Sequence, residues 1–207
     1  MSDRENYNEP SPIRIIDGLV TTERSGLGKW GEQSKNGLSR FCNILKKLLH
    51  KNFTMIEIGS YAGESTIEFA KIAGKVYAVD PWVNGYDPND LSSSAFDMSI
   101  VEKSFNKRTE KYSNIRKLKM TSKTAEKWFK NEKVDIVYID AIHKIAAVRD
   151  DINRWKRHIN HFGFIAGHDF CGYWGEVVDA ILETIGLPDY RTKDGSWMKL
   201  IERGIND

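Results

Sequence analysis

The sequence has little of what marks secreted, membrane-spanning or nucleic-acid-binding proteins. Its two cysteines, Cys42 and Cys171, are far apart and lack metal-ligand spacing, which indicates free thiols. No apolar run approaches the ~20 residues of a membrane span, and the polar start MSDRENYNEP does not resemble a signal peptide. The formal net charge is only +2, with basic residues spread among acids, so no nucleic-acid partner is expected. These features together predict a cytoplasmic protein that binds neither membrane nor nucleic acid.

The length and composition that remain are those of one α/β domain. At 207 residues, with 40% hydrophobic and 29% charged residues, the chain is long enough for one full core and too short for two. Residues 1–12, with two prolines, are predicted to form a disordered arm, and residues 13–207 a single domain. Three histidines without evident partners are expected at the surface, namely His50, His158 and His161.

Strand and helix patterns alternate along the chain. We predict strands at 53–59, 75–80, 115–120, 134–140 and 162–168, and a terminal hairpin over 190–201. Helices are predicted at about 33–50, 63–73, 96–110 and 145–159, and at 175–185, with a short one after the third strand and Gly74 as a left-handed cap. This alternation predicts a Rossmann-like, doubly wound, mostly parallel sheet with helices on both faces.

The most informative motif is the glycine turn after the first strand of this pattern. It reads acid-x-Gly-x-x-x-Gly, whereas a dinucleotide site has GxGxxG around a pyrophosphate. Glu57 stands where a phosphate-binding loop has no use for negative charge. A carboxylate suits a cofactor with an ammonium group and a sulfonium, which is S-adenosylmethionine. We assign its methionine end to Glu57 and the turn, that is to Gly59, Ser60, Tyr61, Gly63 and Ser65.

Four further residues are candidates for the adenosine part of this cofactor. Asp80 ends the second strand, where an acid binds ribose hydroxyls in related dinucleotide sites, although it could instead stabilise the Asp-Pro turn. Trp82 is a candidate to lie along adenine, or else covers the core. Thr121 and Ser122 follow the third strand and are candidates for the adenine edge or the ribose, or else for capping the next helix.

A second cluster combines carboxylates and imidazoles at two later strand ends. Asp140 and His143 follow one strand, and His168 and Asp169 follow the next. Neighbouring strands lie about 5 Å apart, so both carboxylates can reach one cation, and close carboxylates repel without one. We therefore predict a divalent metal on Asp140, His168 and Asp169, with His143 as the general base. The alternative is that Asp140 only positions the cofactor while the later pair caps a loop.

Four stretches together resemble the class I S-adenosylmethionine-dependent methyltransferases: IEIGSYAGES, VYAVDPW, VDIVYIDAIHKIAAVRDDINRW and FGFIAGHDF. More narrowly, they resemble the branch with macrocin O-methyltransferase-like and cephalosporin-hydroxylase-like proteins, over about residues 30–201. The resemblance implies a seven-stranded sheet with an antiparallel last strand and cofactor contacts at the glycine turn and Asp80. It also implies magnesium on Asp140 and at the position of His168-Asp169. Relatives often carry an acid where His168 stands, and imidazole suits zinc, manganese or iron better than magnesium.

The leading functional hypothesis is an O-methyltransferase for a small hydroxylated acceptor, with a sugar or glycosylated metabolite suspected. The acceptor pocket is expected between loop 83–95, the amino-terminal segment and the turn 170–175, which contains Tyr173 and Trp174. Two alternatives stay open at this point: a non-heme metal oxygenase, and a methyltransferase-like binding domain without catalysis. A homo-oligomer is compatible with each of them.

Overall fold

The structure, a computed structural model, describes residues 13–26, 31–87, 90 and 92–202. The predicted arm at 1–12 lies outside these residues. Nine strands occur in the described part of the chain: β1 (Arg14–Ile16), β2 (Leu19–Thr21), β3 (Thr54–Ile58), β4 (Lys75–Asp80), β5 (Ile115–Lys119), β6 (Val134–Ile139), β7 (Ile159–Gly167), β8 (Tyr190–Arg191) and β9 (Trp197–Ile201).

Seven α-helices connect these strands in the described ranges. They are α1 (Gly31–Leu48), α2 (Glu64–Ala70), α3 (Ser92–Ala95), α4 (Met98–Thr109), α5 (Ser122–Phe129), α6 (Ile145–Trp155) and α7 (Gly175–Ile185). Two short 3-10 helices cover Glu23–Ser25 and Lys156–His158. None of these helices combines the length and the apolar character that crossing a bilayer requires.

The main sheet has seven strands in the order β5-β4-β3-β6-β7-β9-β8. The first five run parallel, and β9 is antiparallel to both of its neighbours, so the predicted doubly wound fold is confirmed. The central strands are apolar along nearly their whole length because helices cover both faces of the sheet. One face packs Phe41, Phe69 and Tyr138, and the other packs Phe129 and Trp155.

The strand register brings the functional loops to one edge of the sheet. Ile58 of β3 pairs with Val79 of β4 on one side and with Ile139 of β6 on the other. Ile139 in turn pairs with Gly167 of β7. Because these strands are parallel and their ends are level, the segments that follow them emerge together, as expected for a ligand site in an open α/β sheet.

Several local predictions were wrong. The amino-terminal hairpin β1–β2 was not predicted, since its three-residue strands are too short to show a pattern. The helix predicted to reach residue 159 ends at Trp155, and β7 begins at Ile159, which pairs with Val134. Gly74 has no left-handed backbone; a side chain there would instead meet the backbone of Asn52.

His158 was also predicted wrongly, because it is buried rather than at the surface. Only 3% of its area is exposed. Its Nδ1 lies 3.1 Å from the carbonyl of Glu132 and its Nε2 lies 3.1 Å from the Glu126 carboxylate. Two polar partners make the burial of this imidazole tolerable, and they were too distant in the chain to be read from sequence.

Candidate active site

A cavity of about 600 Å³ opens at the edge of the sheet where the parallel strands end. Its wall is built from the turn after β3, the end of β4, the segments after β6 and β7, the start of α1 and the amino-terminal segment around residues 22–24. The cavity therefore collects residues from distant parts of the chain, including most of those assigned to ligands above. This size suits a small-molecule ligand.

The turn after β3 is fixed by close backbone contact. Gly59 has φ +90°, and its amide donates to the carbonyl of Val79 at 2.8 Å. A side chain at Gly59 would lie 1.8 Å from the carbonyl oxygen of Asp140, so only glycine fits. Ser60, Tyr61 and Ser65, which were predicted to contact the cofactor, line the cavity together with Gly59. Gly63, predicted to contact the cofactor, directly precedes α2, lies against Phe105 and is outside the cavity lining.

Glu57 differs from its predicted role as a direct ligand of the cofactor. Its side chain is fully buried beneath the turn and does not line the cavity. Ser65 Oγ donates to one carboxylate oxygen at 2.5 Å, and the Thr66 hydroxyl donates to the other. Burial raises the pKa of Glu57 to about 7, against the opposing effect of these hydroxyls. Glu57 therefore stabilises the start of α2 through hydrogen bonds with Ser65 and Thr66 and does not contact the cavity.

Asp80 lines the cavity and also holds the turn in place. Its Oδ2 accepts from the backbone amide of Tyr61 at 2.9 Å, and its Oδ1 accepts from the amide of Trp82 at 2.7 Å. Trp82 is buried against Phe105, with ring centroids 4.9 Å apart, and its indole N–H donates to the carbonyl of Tyr61. Trp82 thus covers the core, and its assignment to adenine is corrected, because its side chain is outside the cavity lining.

Thr121 and Ser122, the two hydroxyl residues after β5, differ in position: only Ser122 lines the cavity. Thr121 caps α5 by accepting from the amide of Thr124 at 3.3 Å and lies outside the lining, so its cofactor assignment is corrected. Ser122 lines the cavity, donating to Asp151 at 2.5 Å and accepting from the indole of Trp155 at 2.8 Å. Burial raises the pKa of Asp151 to about 6. Asp151 was not predicted to lie in the site, because an acid within a helix carries no sequence signal of its own.

His143 lies between two carboxylates on the cavity wall. Its Nε2 is 3.0 Å from Asp169 Oδ2, and its Nδ1 is 2.9 Å from Asp87 Oδ2. Asp87 also accepts from the backbone amide of His143 at 2.8 Å. The Trp174 ring stacks on the imidazole, with centroids 3.9 Å apart and planes 16° from parallel. Burial lowers the pKa of His143, but hydrogen bonds and charge from Asp169, together with Asp90 and Asp87, raise it to about 10.

Three of these side chains could hold a cation. Asp140, His143 and Asp169 each offer one ligand atom, and these atoms lie within 4.8 Å of one another. His168, predicted as a ligand, stands outside this set. Its Nδ1 is 2.9 Å from Asp169 Oδ1, and its Nε2 faces Asp194 Oδ2 at 3.8 Å. Among the described residues, the group that could hold a cation thus includes His143 but not the predicted ligand His168, which contacts Asp169 instead.

Besides Asp151, two residues of this site were not predicted to contact it. Arg24, in the 3-10 turn before α1, places Nη2 2.5 Å from Asp140 Oδ2. Burial lowers the pKa of Arg24, but Tyr138 and the surrounding carboxylates raise it by more than burial lowers it, so the group stays charged. Asp87 lies in the loop assigned to the acceptor pocket, but its contact with His143 was not predicted. No motif marks a single Arg or Asp in a loop, so sequence alone gave no signal for either contact.

Solved structures with the same architecture are methyltransferases of several kinds. The O-methyltransferase NovP is 12% identical, with a TM-score of 0.58, over 79% of this chain and 80% of that one. An rRNA methylase from Streptococcus thermophilus is 14% identical, with a TM-score of 0.56, over 81% and 96%. The N-methyltransferase NodS from Bradyrhizobium japonicum, in complex with S-adenosyl-L-homocysteine, is 16% identical, with a TM-score of 0.54, over 77% of each chain. These likenesses concern the fold. No curated protein matches the sequence of this chain.

A family model described as a methyltransferase domain matches residues 56–170, which is more than half of the chain. The matched segment runs from β3 through β7 and contains the glycine turn, Asp80, and the cluster of Asp140, His143 and Asp169. The cavity described above is thus built largely from the matched residues. The chain belongs to this methyltransferase domain family and is an S-adenosylmethionine-dependent methyltransferase.

Proposed function

We propose that this enzyme transfers the methyl group of S-adenosylmethionine to a hydroxyl of a small acceptor, with help from a divalent cation. The observation that carries the proposal is the contact between His143 and Asp169 on the wall of the cavity that also contains Asp80 and the Gly59 turn. A proton-accepting group therefore stands beside the donor site. The narrower likeness to macrocin O-methyltransferase-like proteins is part of this proposal.

The donor is held by groups at the ends of β3 and β4. In this proposal the Gly59–Tyr61 backbone lies along the methionine end, and Asp80 accepts hydrogen bonds from the ribose hydroxyls. Ser122 and Asp151 then lie at the adenine end of the cavity. The acceptor oxygen attacks the methyl carbon in line with the carbon–sulfur bond, which breaks as the new carbon–oxygen bond forms, leaving S-adenosylhomocysteine. Positioning of the two reactants supplies much of the rate enhancement.

His143 receives the proton of the acceptor hydroxyl. Asp87 accepts a hydrogen bond from Nδ1, so the proton on that nitrogen is fixed. Nε2 is therefore the nitrogen that can take the proton of the acceptor hydroxyl. Asp169 faces Nε2 and Asp87 faces Nδ1, and together with Asp90 they raise the pKa of His143 to about 10, so Nε2 holds a proton as long as no other cation balances Asp169. A base role therefore requires that the charge of Asp169 be balanced by another cation, which frees Nε2 for the acceptor.

The two carboxylates of this cluster, Asp140 and Asp169, would hold such a cation and leave Nε2 of His143 free to act as the base. Carboxylate ligands suit magnesium or manganese. When bound, the cation supplies a Lewis acid that lowers the pKa of an acceptor hydroxyl. In the structure Arg24 neutralises Asp140 through Oδ2, so the metal-bound site would share that carboxylate with the guanidinium.

A small acceptor is favoured over RNA by the charge of the cavity. Its wall carries many more carboxylates than Lys or Arg side chains, and such a wall repels phosphate groups. Tyr86, Tyr173 and Trp174 provide aromatic surface on the wall, and Tyr173 is 55% exposed. Aromatic surface beside carboxylates supports a sugar or glycosylated metabolite as acceptor.

A cytoplasmic location, a single domain over 13–207 and a homo-oligomer stay predictions.

The oxygenase alternative is not favoured. Non-heme iron oxygenases use two histidines and one carboxylate, whereas this set has one histidine and two carboxylates. Membership of the methyltransferase domain family also supports methyl transfer instead. The alternative of a binding domain without catalysis is also not favoured, because the contacts of His143 with Asp87 and Asp169 position an imidazole for proton transfer.

The proposal is tested by methyl transfer from radiolabelled S-adenosylmethionine to a library of hydroxylated acceptors. We expect a labelled O-methyl product, loss of turnover in a chelator, and recovery on adding magnesium or manganese. Asp169→Asn should lower turnover at least 100-fold and leave affinity for S-adenosylhomocysteine within twofold. Asp179→Asn, on the exposed face of α7, is the matched control and should behave as wild type. Full turnover in chelator refutes the metal, and a purely N-methylated product refutes the hydroxyl acceptor.

A further inference from the structure

The amino-terminal segment carries a cation into the cavity from outside the matched family region. Arg24 belongs to the 3-10 turn Glu23–Ser25, whereas the methyltransferase domain match begins at residue 56. Glu64 of α2 anchors this turn: it accepts from the amide and hydroxyl of Thr22 and from the hydroxyl of Ser25. The guanidinium of Arg24 is thereby fixed against the wall of the cavity.

Two buried donors in this region have no protein partner among the described residues. Arg24 uses Nη2 for Asp140, but its Nη1 is buried without a hydrogen bond. Ser34, in the second turn of α1, is 4% exposed, and its Oγ likewise lacks a partner. Both residues line the cavity. A buried donor left unpaired is costly, so two of them on one wall indicate a ligand group that accepts from them.

The chemistry of these donors selects a carboxylate. Nη1 of Arg24, the guanidinium nitrogen left open, can donate a charge-assisted hydrogen bond to a carboxylate oxygen, and the hydroxyl of Ser34 can donate to the same group. The neighbouring negative charge is Asp140, so the wall presents a positive and a negative group side by side. An α-amino acid carries the same two charges, a carboxylate and an ammonium.

The place of Arg24 relates this wall to the methyl donor. Arg24 contacts Asp140, and the carbonyl of Asp140 lies against Gly59, which leaves no room for a side chain there. Arg24 is thus next to the turn to which we assign the methionine end of the donor. The adenosine end, near Asp80 and Ser122, lies at the ends of β4 and β5 on the other side of β3 from β6.

We propose that Arg24 and Ser34 bind the carboxylate of the amino-acid end of the methyl donor, with Asp140 beside its ammonium group. This inference rests on the donor site of the proposed function. It assigns part of donor recognition to a segment that precedes the methyltransferase domain match, and it gives the Arg24–Asp140 pair a ligand-binding role besides that of neutralising one carboxylate.

Calorimetric titration with two ligands tests the inference. S-Adenosylhomocysteine has the amino-acid end, and 5′-methylthioadenosine shares its adenosine and sulfur but lacks that end. For Arg24→Gln we expect at least a tenfold loss of affinity for S-adenosylhomocysteine and less than a twofold change for methylthioadenosine. Ser34→Ala should show the same pattern with a threefold or larger loss. Arg154→Gln is the control, since Arg154 also lines the cavity but comes from α6; the ratio of the two affinities should not change.

Each result decides the matter. Unchanged affinity for S-adenosylhomocysteine in Arg24→Gln, or an equal loss for both ligands in Ser34→Ala, overturns the proposal. Binding of methylthioadenosine reports an intact fold, and if Arg24→Gln loses it, the Ser34→Ala pattern decides alone. A wild-type protein that binds neither ligand would instead contradict the donor site itself, so the two failures are distinguishable.

Discussion

The Asp80 carboxylate accepts a hydrogen bond from the backbone amide of Tyr61 at 2.9 Å, which ties the end of β4 to the turn after β3. The same carboxylate accepts from the amide of Trp82. Burial raises the pKa of Asp80, and these two amides oppose the rise. Asp80 therefore both shapes the turn and, in our proposal, offers its remaining acceptor capacity to the ribose of the donor.

Replacing Asp80 should weaken donor binding strongly. We expect Asp80→Ala to lower affinity for S-adenosylhomocysteine at least tenfold, about 1.4 kcal/mol. The turn after β3 loses the hydrogen bond between the Tyr61 amide and Asp80, and the ribose loses a hydrogen-bond acceptor. Calorimetric titration measures this. Asp97→Ala is the control: Asp97 caps α4 through the amide of Ser99 and lies outside the cavity lining, so its affinity should match wild type. An Asp80→Ala protein that binds as wild type would refute the ribose assignment.

Gly59 and Gly85 form a matched pair for testing the close contact of the turn. Both have positive φ, but a side chain at Gly59 would lie 1.8 Å from the Asp140 carbonyl, whereas nothing lies within 4 Å at Gly85. Gly85→Ala should lower the free energy of unfolding by about 1 kcal/mol, from backbone strain alone. Gly59→Ala should lower it by about 4 kcal/mol or more. Urea unfolding compares them, and equal effects would contradict the described contact.

Glu57 should make stability depend on pH. Burial raises its pKa from 4.5 to about 7 in the folded protein, so folding favours the protonated form. Its contribution to stability is present below pH 4.5 and is lost as the pH rises towards 7, by roughly 3 kcal/mol at most. Glu57→Gln removes this titration, so we expect it to gain stability relative to wild type between pH 5 and pH 8.

Urea unfolding at those two pH values measures the difference for Glu57. Glu68→Gln, on the exposed part of α2, is the control and should shift stability equally at both. A constant difference between wild type and Glu57→Gln across the range would mean that the buried carboxyl titrates as an ordinary one.

The stack of Trp174 on His143 should be visible by NMR. A ring 3.9 Å above the imidazole shifts the signals of the His143 ring protons upfield, and Trp174→Ala should remove that shift. We also expect about a tenfold loss of methyl transfer, because the imidazole loses one wall of its site, with affinity for S-adenosylhomocysteine within twofold. Trp174→Phe should keep most of the upfield shift of the His143 ring protons and most of the methyl-transfer rate. Trp128→Ala, which removes an indole that packs on Tyr77 instead, should leave the His143 signals unchanged.

The elements predicted best are those whose pattern is local. β4 and α7 were predicted with their observed bounds, since a buried strand and a helix with glycine and proline at its end are written in consecutive residues. The carboxyl ends of β3, β4, β6 and β7 were also predicted to meet, because parallel strands order their ends in one direction. The hairpin β1–β2 and the buried place of His158 depend on partners elsewhere in the chain and were missed.

The candidate site divides in the same way. Asp80, His143 and Asp169 follow strands of the sheet and were predicted to lie around one cavity. Glu57 was placed on the wrong side of the turn, because side chains alternate along a strand and this one points under α2. Trp82 and Thr121 were assigned to the cofactor, but local packing and capping occupy them instead.

By itself the sequence determined the order of strands and helices, the glycine turn and the acids at the strand ends, since each follows from residues a few positions apart. Only the tertiary structure decided that Arg24 reaches Asp140, that Asp87 and Asp169 hold His143 between them, and that His168 contacts Asp169. Those contacts join residues up to 116 positions apart. Their formation depends on how the amino-terminal segment and the loops pack over the sheet, which no periodicity in the chain records.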